Sequence, residues 1–135
     1  MNPKTHSLNK SQRLKSRKTI DALFKAGKSF SVFPFRVLYL MLDESMAPLQ
    51  AGFSAPTKNF KKAVDRNRIK RLIKESYRLH RHLLEKVVLE KGIKLSVFFI
   101  YTGKELPDQE LVTNKISVIL QLLIKKLHES GPSNT

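Results

Sequence analysis

The sequence predicts an α+β fold in which helices pack against one sheet, within a single domain of 135 residues. Three patterns carry this prediction. Apolar residues alternate over Phe33–Met41 as in a strand, Leu95–Tyr101 is rich in β-branched and aromatic residues, and Lys62–Leu89 has an amphipathic helical repeat. A chain of this length buries a core without covalent staples, and this one contains no cysteine.

The chain opens with a predicted helix and a predicted strand. Gln12–Ala26 suits a short helix, and Gly27 is the expected C-cap. Phe33–Met41 then alternates between two faces, with Phe35, Val37 and Tyr39 on one side. Pro34 lies near the start of this strand, where the loss of a hydrogen-bond donor is tolerated.

Two further segments complete the predicted sheet region. Asp43–Met46 is typical of a turn, and Gln50–Ala55 suits a second short strand. Because only a turn separates this strand from Phe33–Met41, we expect the two strands to pair as a hairpin. Ser29–Val32 is a candidate for an additional short strand.

The second half of the chain is predicted to be helix, strand and helix. The main helix covers Lys62–Leu89 and ends at Gly92, and Leu95–Tyr101 is expected to be a central strand. Asp108–His128 forms the last helix. Its apolar face contains Val112, Ile116, Ile119, Leu120, Leu123 and Leu127. Residues 1–11 and 130–135 are expected to be flexible tails.

Positive charge is concentrated in two blocks of the sequence. The formal net charge is +15, and residues 1–30 contain eight Lys or Arg against one Asp. Residues 58–86 contain eleven Lys or Arg against three acidic residues, while the charges of the remaining segments nearly cancel. This segregation predicts a phosphate-rich partner.

The main helix places cations along one side. With about 100° per residue, Lys70, Lys74 and Arg78 lie within roughly 80° of one another, away from the apolar stripe. Like charges four residues apart are each unfavourable by roughly 0.2–0.5 kcal/mol, so a polyanion is expected to offset them. Arg68 points away from this stripe, and Asn67 is predicted either to bind a phosphate or sugar or to fix the preceding loop.

The residues needed for independent catalysis are not grouped in the sequence. The eleven acidic residues are scattered, so we predict no metal site, and the five glycines form no phosphate loop. His80 is predicted to pack in the core rather than act as a catalyst. No apolar run is long enough to cross a membrane, and no secretory signal precedes the fold, so we expect a cytoplasmic protein.

The segment Ala63–Arg78, AVDRNRIKRLIKESYR, preceded by Lys58, resembles the signature helix of the bacterial ribonuclease P protein subunit. Upstream, Arg13–Ser29 is similar to the opening helix and turn of that family. The resemblance covers most of the chain in the same order. It implies a sandwich like that of ribosomal protein S5, with a left-handed βαβ crossover before Leu95–Tyr101.

The resemblance also implies a function. Family members are not catalysts alone; they bind a large catalytic RNA, and the ribonucleoprotein removes the 5′ leader of precursor tRNA. Mg²⁺ would be held mainly by the RNA subunit, with no organic cofactor and no obligate protein partner. The positions implied to bind RNA are Lys58, Lys62, Arg66, Asn67, Arg68, Lys70, Arg71, Lys74 and Arg78.

A leader cleft is implied between the opening helix, the sheet and the main helix. Its expected lining is Arg13, Arg17, Ile20, Phe24, Phe35 and Tyr39. Single-stranded nucleic acid is held by basic grooves with aromatic or apolar platforms, although each of these aromatic rings could equally pack in the core. Ile20 departs from the family, which usually has an aromatic residue there, and Lys61 stands where many relatives have glycine.

Three other functions share some of these features. A structural RNA-binding protein, such as a ribosomal component, would have the same charge pattern. A helical DNA-binding module is less consistent with the prominent strands. A basic protein of the membrane surface is the third alternative.

Overall fold

The computed structural model describes residues 13–14, 16–41 and 48–130. The helices within these ranges are α1 (Arg17–Ala26), α2 (Ala63–His80), α3 (His82–Lys91) and α4 (Gln109–Ser130). The strands are β1 (Lys28–Val32), β2 (Phe35–Met41), β3 (Leu49–Ser54) and β4 (Leu95–Tyr101). The predicted α+β class is confirmed. The predicted turn over Asp43–Met46 and the predicted tails lie outside the described residues, except for Ser130, which ends α4.

The four strands form one sheet in the order β1-β2-β4-β3. β1 and β2 are antiparallel neighbours, which confirms the additional strand predicted at Ser29–Val32. β2 also pairs antiparallel with β4, and β4 pairs parallel with β3. The predicted hairpin between Phe33–Met41 and Gln50–Ala55 is therefore wrong, because β4 lies between these two strands.

The composition of β4 explains its central position. Its residues are apolar on both faces except for Ser96, and a strand of this kind is most stable where both faces are covered and both edges are paired. Because β3 and β4 are parallel, the chain must cross over between them, and α2 and α3 form this crossover. Its left-handed sense stays a prediction.

The larger core lies on one face of the sheet, beneath α2 and α4. On this face Phe35, Val37 and Tyr39 of β2 are paired with Tyr101, Phe99 and Val97 of β4. The six apolar residues predicted to face inward from the last helix are all buried: Val112, Ile116, Ile119, Leu120, Leu123 and Leu127. Asp108 Oδ1 accepts a hydrogen bond from Leu111 N at 2.8 Å, which caps the first turn of α4.

A smaller core lies on the opposite face, beneath α1. Leu23 of α1 and Leu14 are buried with Leu38 of β2, and Phe98 and Ile20 pack against them. This face is only partly covered, because α1 is the one described helix that packs on it. The sheet therefore has a closed face and a partly open face.

The helix α1 is shorter than predicted. It begins at Arg17 instead of Gln12, because Ser16 Oγ accepts a hydrogen bond from Thr19 N at 3.3 Å and caps the helix there. Gly27 caps the end, as predicted, with its N–H donating to Leu23 O at 2.9 Å. Its φ is −72°, so the glycine is needed for space: a Cβ would lie 2.4 Å from that carbonyl oxygen.

The predicted main helix is two helices, separated at Arg81, whose side chain is buried. The apolar repeat therefore does not continue unchanged across the separation. Leu83 is 67% exposed, whereas the next residue, Leu84, and Val88 are fully buried. Gly92 ends α3 in the left-handed conformation, with a φ of 66°, which confirms the predicted exit.

Candidate nucleic-acid interface

A row of cations follows one flank of α2 at intervals of four residues. We call Arg66, Lys70, Lys74 and Arg78 the cation row; each side chain is partly exposed. Tyr77, on the same flank, contacts the Phe53 ring of β3 at 5.8 Å between centroids. On the other flank, Ser76 Oγ lies 3.2 Å from Thr113 Oγ1 of α4. The cation row therefore runs on the β3 side of α2, away from α4.

Arg66 also holds the loop that precedes α2. Its Nη1 donates to Phe60 O and to Lys61 O, both at 2.8 Å. The same loop carries the exposed side chains of Lys58 and Lys62. Arg66, rather than the Asn67 suggested by the sequence, therefore fixes this loop. Because a guanidinium has five N–H donors, the Nη2 and Nε donors remain for another partner.

Asn67, Arg68 and Arg71 are exposed on a different part of the same helix. They line a shallow concavity of about 510 Å³ together with Val64 and Asp65. The structure therefore separates the predicted RNA-binding residues of α2 into the cation row and this second group. Their roles in RNA binding stay a prediction.

Cations from the first charged block border the same edge strand as the cation row. Arg13 forms a parallel bridge with Ala51 of β3, and Leu14 N donates to Ala51 O at 2.9 Å. This brings the chain entering α1 against β3 at Gly52, where a Cβ would lie 2.7 Å from the Phe98 ring and 3.3 Å from Leu14 O. Arg13 of the first charged block and the cation row of the second, which are distant in sequence, therefore both border β3.

The partly open face of the sheet presents an aromatic surface beside α1. Phe24 is 54% exposed, and its ring meets Phe98 of β4 edge to face with centroids 6.0 Å apart. Arg17 is exposed and Ile20 is partly exposed on the same helix. These side chains form what we call the α1 surface. Such a combination of rings and cations suits single-stranded nucleic acid. Arg13, predicted to join it, is bridged to Ala51 of the larger core, while its neighbour Leu14 is in the smaller core, so Arg13 faces the α2 side of β3.

The prediction that Phe35 and Tyr39 share a cleft with Phe24 is wrong. Both lie on the opposite face of the sheet, in the larger core, where Phe35 is 1% exposed. The reason is the alternation of β2: the residues on the α1 side are Leu38 and Leu40, and odd-numbered residues point away. Burial, together with the nearby charge of Glu129, raises the pKa of Tyr39, as expected for a phenol in the core.

The sequence reasoning missed Phe98 and Arg36 as candidates for the α1 surface. Arg36 is exposed, and its register opposite Ile100 places it on the α1 side of the sheet. The alternation within β2 and β4 could have identified both residues. The alternation does not predict which of the two sheet faces α1 covers.

His80 is exposed and not packed in the core, contrary to the prediction. Its Nδ1 lies 2.8 Å from Ser76 O, because it occupies the last turn of α2, just before the helix separation. Among the described residues, no three acidic or histidine side chains come together in a way that could hold a metal ion. Within the same residues, no helix has the length and apolar character needed to cross a membrane.

The fold and these surfaces define a class of protein: a basic α+β domain that presents segregated cations around one edge strand. The particular family follows from comparison with known proteins. Residues 8–122 match the family model described as Ribonuclease P. A ribonuclease P protein component of Porphyromonas gingivalis is 43% identical over 107 residues, which cover 78% of each chain. The chain therefore belongs to the ribonuclease P family.

Solved structures agree with this assignment. The RNase P protein from Thermotoga maritima is 26% identical, with a TM-score of 0.61, and the match covers 82% of this chain and 96% of that one. The Staphylococcus aureus RNase P protein is similar in fold, with a TM-score of 0.66 at 21% identity over 83% of this chain and 94% of that one.

Proposed function

We propose that this chain is the protein subunit of a ribonuclease P ribonucleoprotein, acting as one RNA-binding domain. It binds a catalytic RNA and the 5′ leader of precursor tRNA, and so promotes endonucleolytic removal of the leader to give the mature 5′ end. The observation that carries this proposal is the family match over residues 8–122, since it includes most of the first concentration of positive charge and all of the second.

The catalytic RNA is proposed to bind the β3 side of α2. The cation row offers fixed charges at the spacing of a helical turn, and the loop held by Arg66 adds Lys58 and Lys62. Asn67, Arg68 and Arg71 extend this surface. Folded RNA presents phosphates in arrays, and each phosphate neutralised by a cation releases counterions, so the affinity of this contact depends strongly on salt.

The leader is proposed to lie on the α1 surface. A single-stranded leader has unpaired bases, which stack on the exposed Phe24 ring and on the partly exposed Phe98 ring beside it. Arg17 on α1 is placed to neutralise its phosphates, and Arg13 adds a cation at the neighbouring edge of β3. Ile20 adds apolar contact in place of an aromatic ring. Phe35 and Tyr39 contribute only by supporting the sheet from its other face.

The cutting is proposed to be done by the RNA. Protein nucleases that use metal ions cluster carboxylates around them, and the described residues contain no such cluster. Mg²⁺ coordinates phosphate oxygens readily, so the RNA subunit is the proposed holder of the metal, and no organic cofactor is involved. We expect the complex to act in the cytoplasm, without a membrane and without an obligate protein partner.

Reconstitution tests this proposal. The purified chain, treated to remove RNA, is combined with a bacterial ribonuclease P RNA and a leader-bearing precursor tRNA in dilute Mg²⁺. We expect cleavage at the mature 5′ end to be faster with the chain than without it, and absent with the chain alone. A chain that binds this RNA without raising its activity would indicate a structural RNA-binding protein, and correct cleavage by the RNA-free chain would show that the protein is itself the catalyst.

A further inference from the structure

A concavity of about 770 Å³ lies at one end of the sheet, outside the surfaces described above. It is bounded by the turn between β1 and β2 and by the loop between β4 and α4. Its volume falls within the roughly 300–1,000 Å³ typical of small-molecule sites. We propose that this concavity is a subsite for one unpaired nucleobase of single-stranded RNA. The inference rests on the proposed function, because it assumes that the chain binds RNA.

An exposed aromatic ring provides a stacking platform. Phe33, which lines the concavity, is 76% exposed, more than any other large apolar side chain among the described residues. Leu106, on the facing loop, is 47% exposed and lines the same space. Exposed rings of this kind bury apolar area when a base stacks on them, and every nucleobase has a suitable face.

The walls of the concavity are tied together. Thr102 donates twice to Pro34 O, from its N at 2.7 Å and from its Oγ1 at 2.9 Å, so the turn bearing Phe33 is fixed to the loop after β4. Tyr101 Oη donates to Glu105 O at 2.6 Å. Gly103 lies so close to the Tyr101 ring that a Cβ would be 2.5 Å from its oxygen. The site is therefore largely formed before a ligand arrives.

The polar lining suits a base better than a phosphate. Lys104 and Lys115 offer donors, whereas Glu105 and Asp108 offer carboxylates, so the formal charge of the lining is balanced. A phosphate would meet both carboxylates, but a base has donors and acceptors on its edge and carries no charge. The chemistry of the lining therefore favours the base.

The concavity lies next to the loop that Arg66 holds, which is part of the proposed RNA surface. Asn59 Nδ2 donates to Gly103 O at 3.4 Å, and the Phe60 and Tyr101 rings are 5.9 Å apart. Asn59 and Phe60 belong to the loop that Arg66 holds and that carries Lys58. An RNA strand whose phosphates follow this loop can therefore place an adjacent base against Phe33.

Two binding measurements test the inference with the full chain. The probes are a short fluorescent single-stranded RNA of mixed sequence and a sugar–phosphate oligomer of the same length with abasic sites throughout. Phe33→Ala should weaken binding of the first probe by about 5- to 150-fold, the range expected for stacking of one base, and leave the abasic probe unaffected. The slope of log affinity against log salt should not change, because no charge is removed.

Leu83→Ala is the matched control, since Leu83 is a similarly exposed apolar residue, at 67%, on α3. Both variants should unfold at the wild-type urea midpoint. Equal affinities of Phe33→Ala and Leu83→Ala for the base-containing probe would overturn the inference, as would equal losses on both probes.

Cross-linking locates the base directly. A 4-thiouridine version of the probe, irradiated with the wild-type chain, should attach within residues 33–34 or 101–111, and attachment only elsewhere would overturn the subsite. If Phe33→Ala binds and cross-links as the wild type does while the chain still stimulates precursor cleavage, the subsite alone is refuted. A chain that neither binds RNA nor stimulates cleavage refutes both the subsite and the proposed function.

Discussion

Arg66 should stabilise the fold as well as bind RNA, and Lys70, one helical turn later, should do only the second. The Arg66 guanidinium donates to two backbone carbonyls at 2.8 Å, whereas Lys70 is a neighbouring cation of the same row. A hydrogen bond from a charged donor contributes about 1.5–3 kcal/mol, but here the bond to Phe60 O is partly buried and the bond to Lys61 O is exposed, so each should contribute less. We therefore expect Arg66→Ala to lower the free energy of unfolding by about 1–3 kcal/mol in total.

Lys70→Ala is the control variant, because it removes a cation of the same row without removing a hydrogen bond to the loop. That variant should change the free energy of unfolding by no more than about 0.5 kcal/mol, as is usual for a surface substitution. Urea unfolding measures the free energy of unfolding of both variants. Similar m-values would show that the two variants expose the same surface on unfolding, so that their midpoints can be compared. In RNA binding, each variant should flatten the salt slope by roughly 0.7–0.9 for each lost phosphate contact, and the double variant should do so about additively.

Arg66→Lys separates the two roles. The lysine keeps the positive charge, so the salt slope should stay near that of the wild type. It lacks the planar guanidinium that donates to two carbonyls, so the urea midpoint of unfolding should fall. Equal urea midpoints for Arg66→Ala, Lys70→Ala and the wild type would refute the reasoning that Arg66 holds the loop. A salt slope unchanged in Lys70→Ala would count against its phosphate contact.

Three further expectations concern the C-cap of α1, the ionisation of a tyrosine and the α1 surface. Gly27→Ala should lower the free energy of unfolding by about 1–3 kcal/mol, because its Cβ would overlap the Leu23 carbonyl; urea unfolding measures this, and a midpoint equal to that of wild type would contradict it. Burial raises the pKa of Tyr77, so the unfolded chain loses its phenol proton first, near pH 10.0, and stability present below that pH should fall above it. Tyr77→Phe should reduce this fall, as followed by urea midpoints between neutral and alkaline pH, by up to about 1.4 kcal/mol per pH unit. Phe24→Ala should weaken binding of a leader-bearing precursor about 5-fold or more while sparing a leaderless tRNA, and equal losses on the two RNAs would exclude stacking of the leader.

Local patterns predicted the elements well, but they could not predict which strands are neighbours. The boundaries of β4 agree with the predicted Leu95–Tyr101, and the inward face of the last helix is confirmed residue by residue. The short connection between β2 and β3 predicts a hairpin. However, β4 is apolar on both faces, and the burial that it gains between β2 and β3 stabilises the fold more than direct pairing of those two strands would.

The same limit applies to the candidate site. Alternation along β2 correctly separates Phe35 and Tyr39 from Leu38 and Leu40. It does not say which set lies beneath α1, because both sets are apolar and either could face either helix layer. Tertiary packing decides this, and it places the predicted leader aromatics on opposite sides of the sheet, with Phe24 alone on the α1 surface.

The like charges of the cation row do not need RNA in order to be tolerated. Three i, i+4 repulsions along the row destabilise α2 by about 1 kcal/mol in total. The buried side of the same helix contains Ile69, Ile73 and Tyr77, each 1% exposed or less. Burial of each such side chain contributes about 1.5–3 kcal/mol, which exceeds the repulsion several times over. Packing against the sheet therefore fixes α2 whether or not a polyanion is bound, so the protein can offer its cations to RNA already aligned, and the repulsion among them is relieved when phosphates arrive.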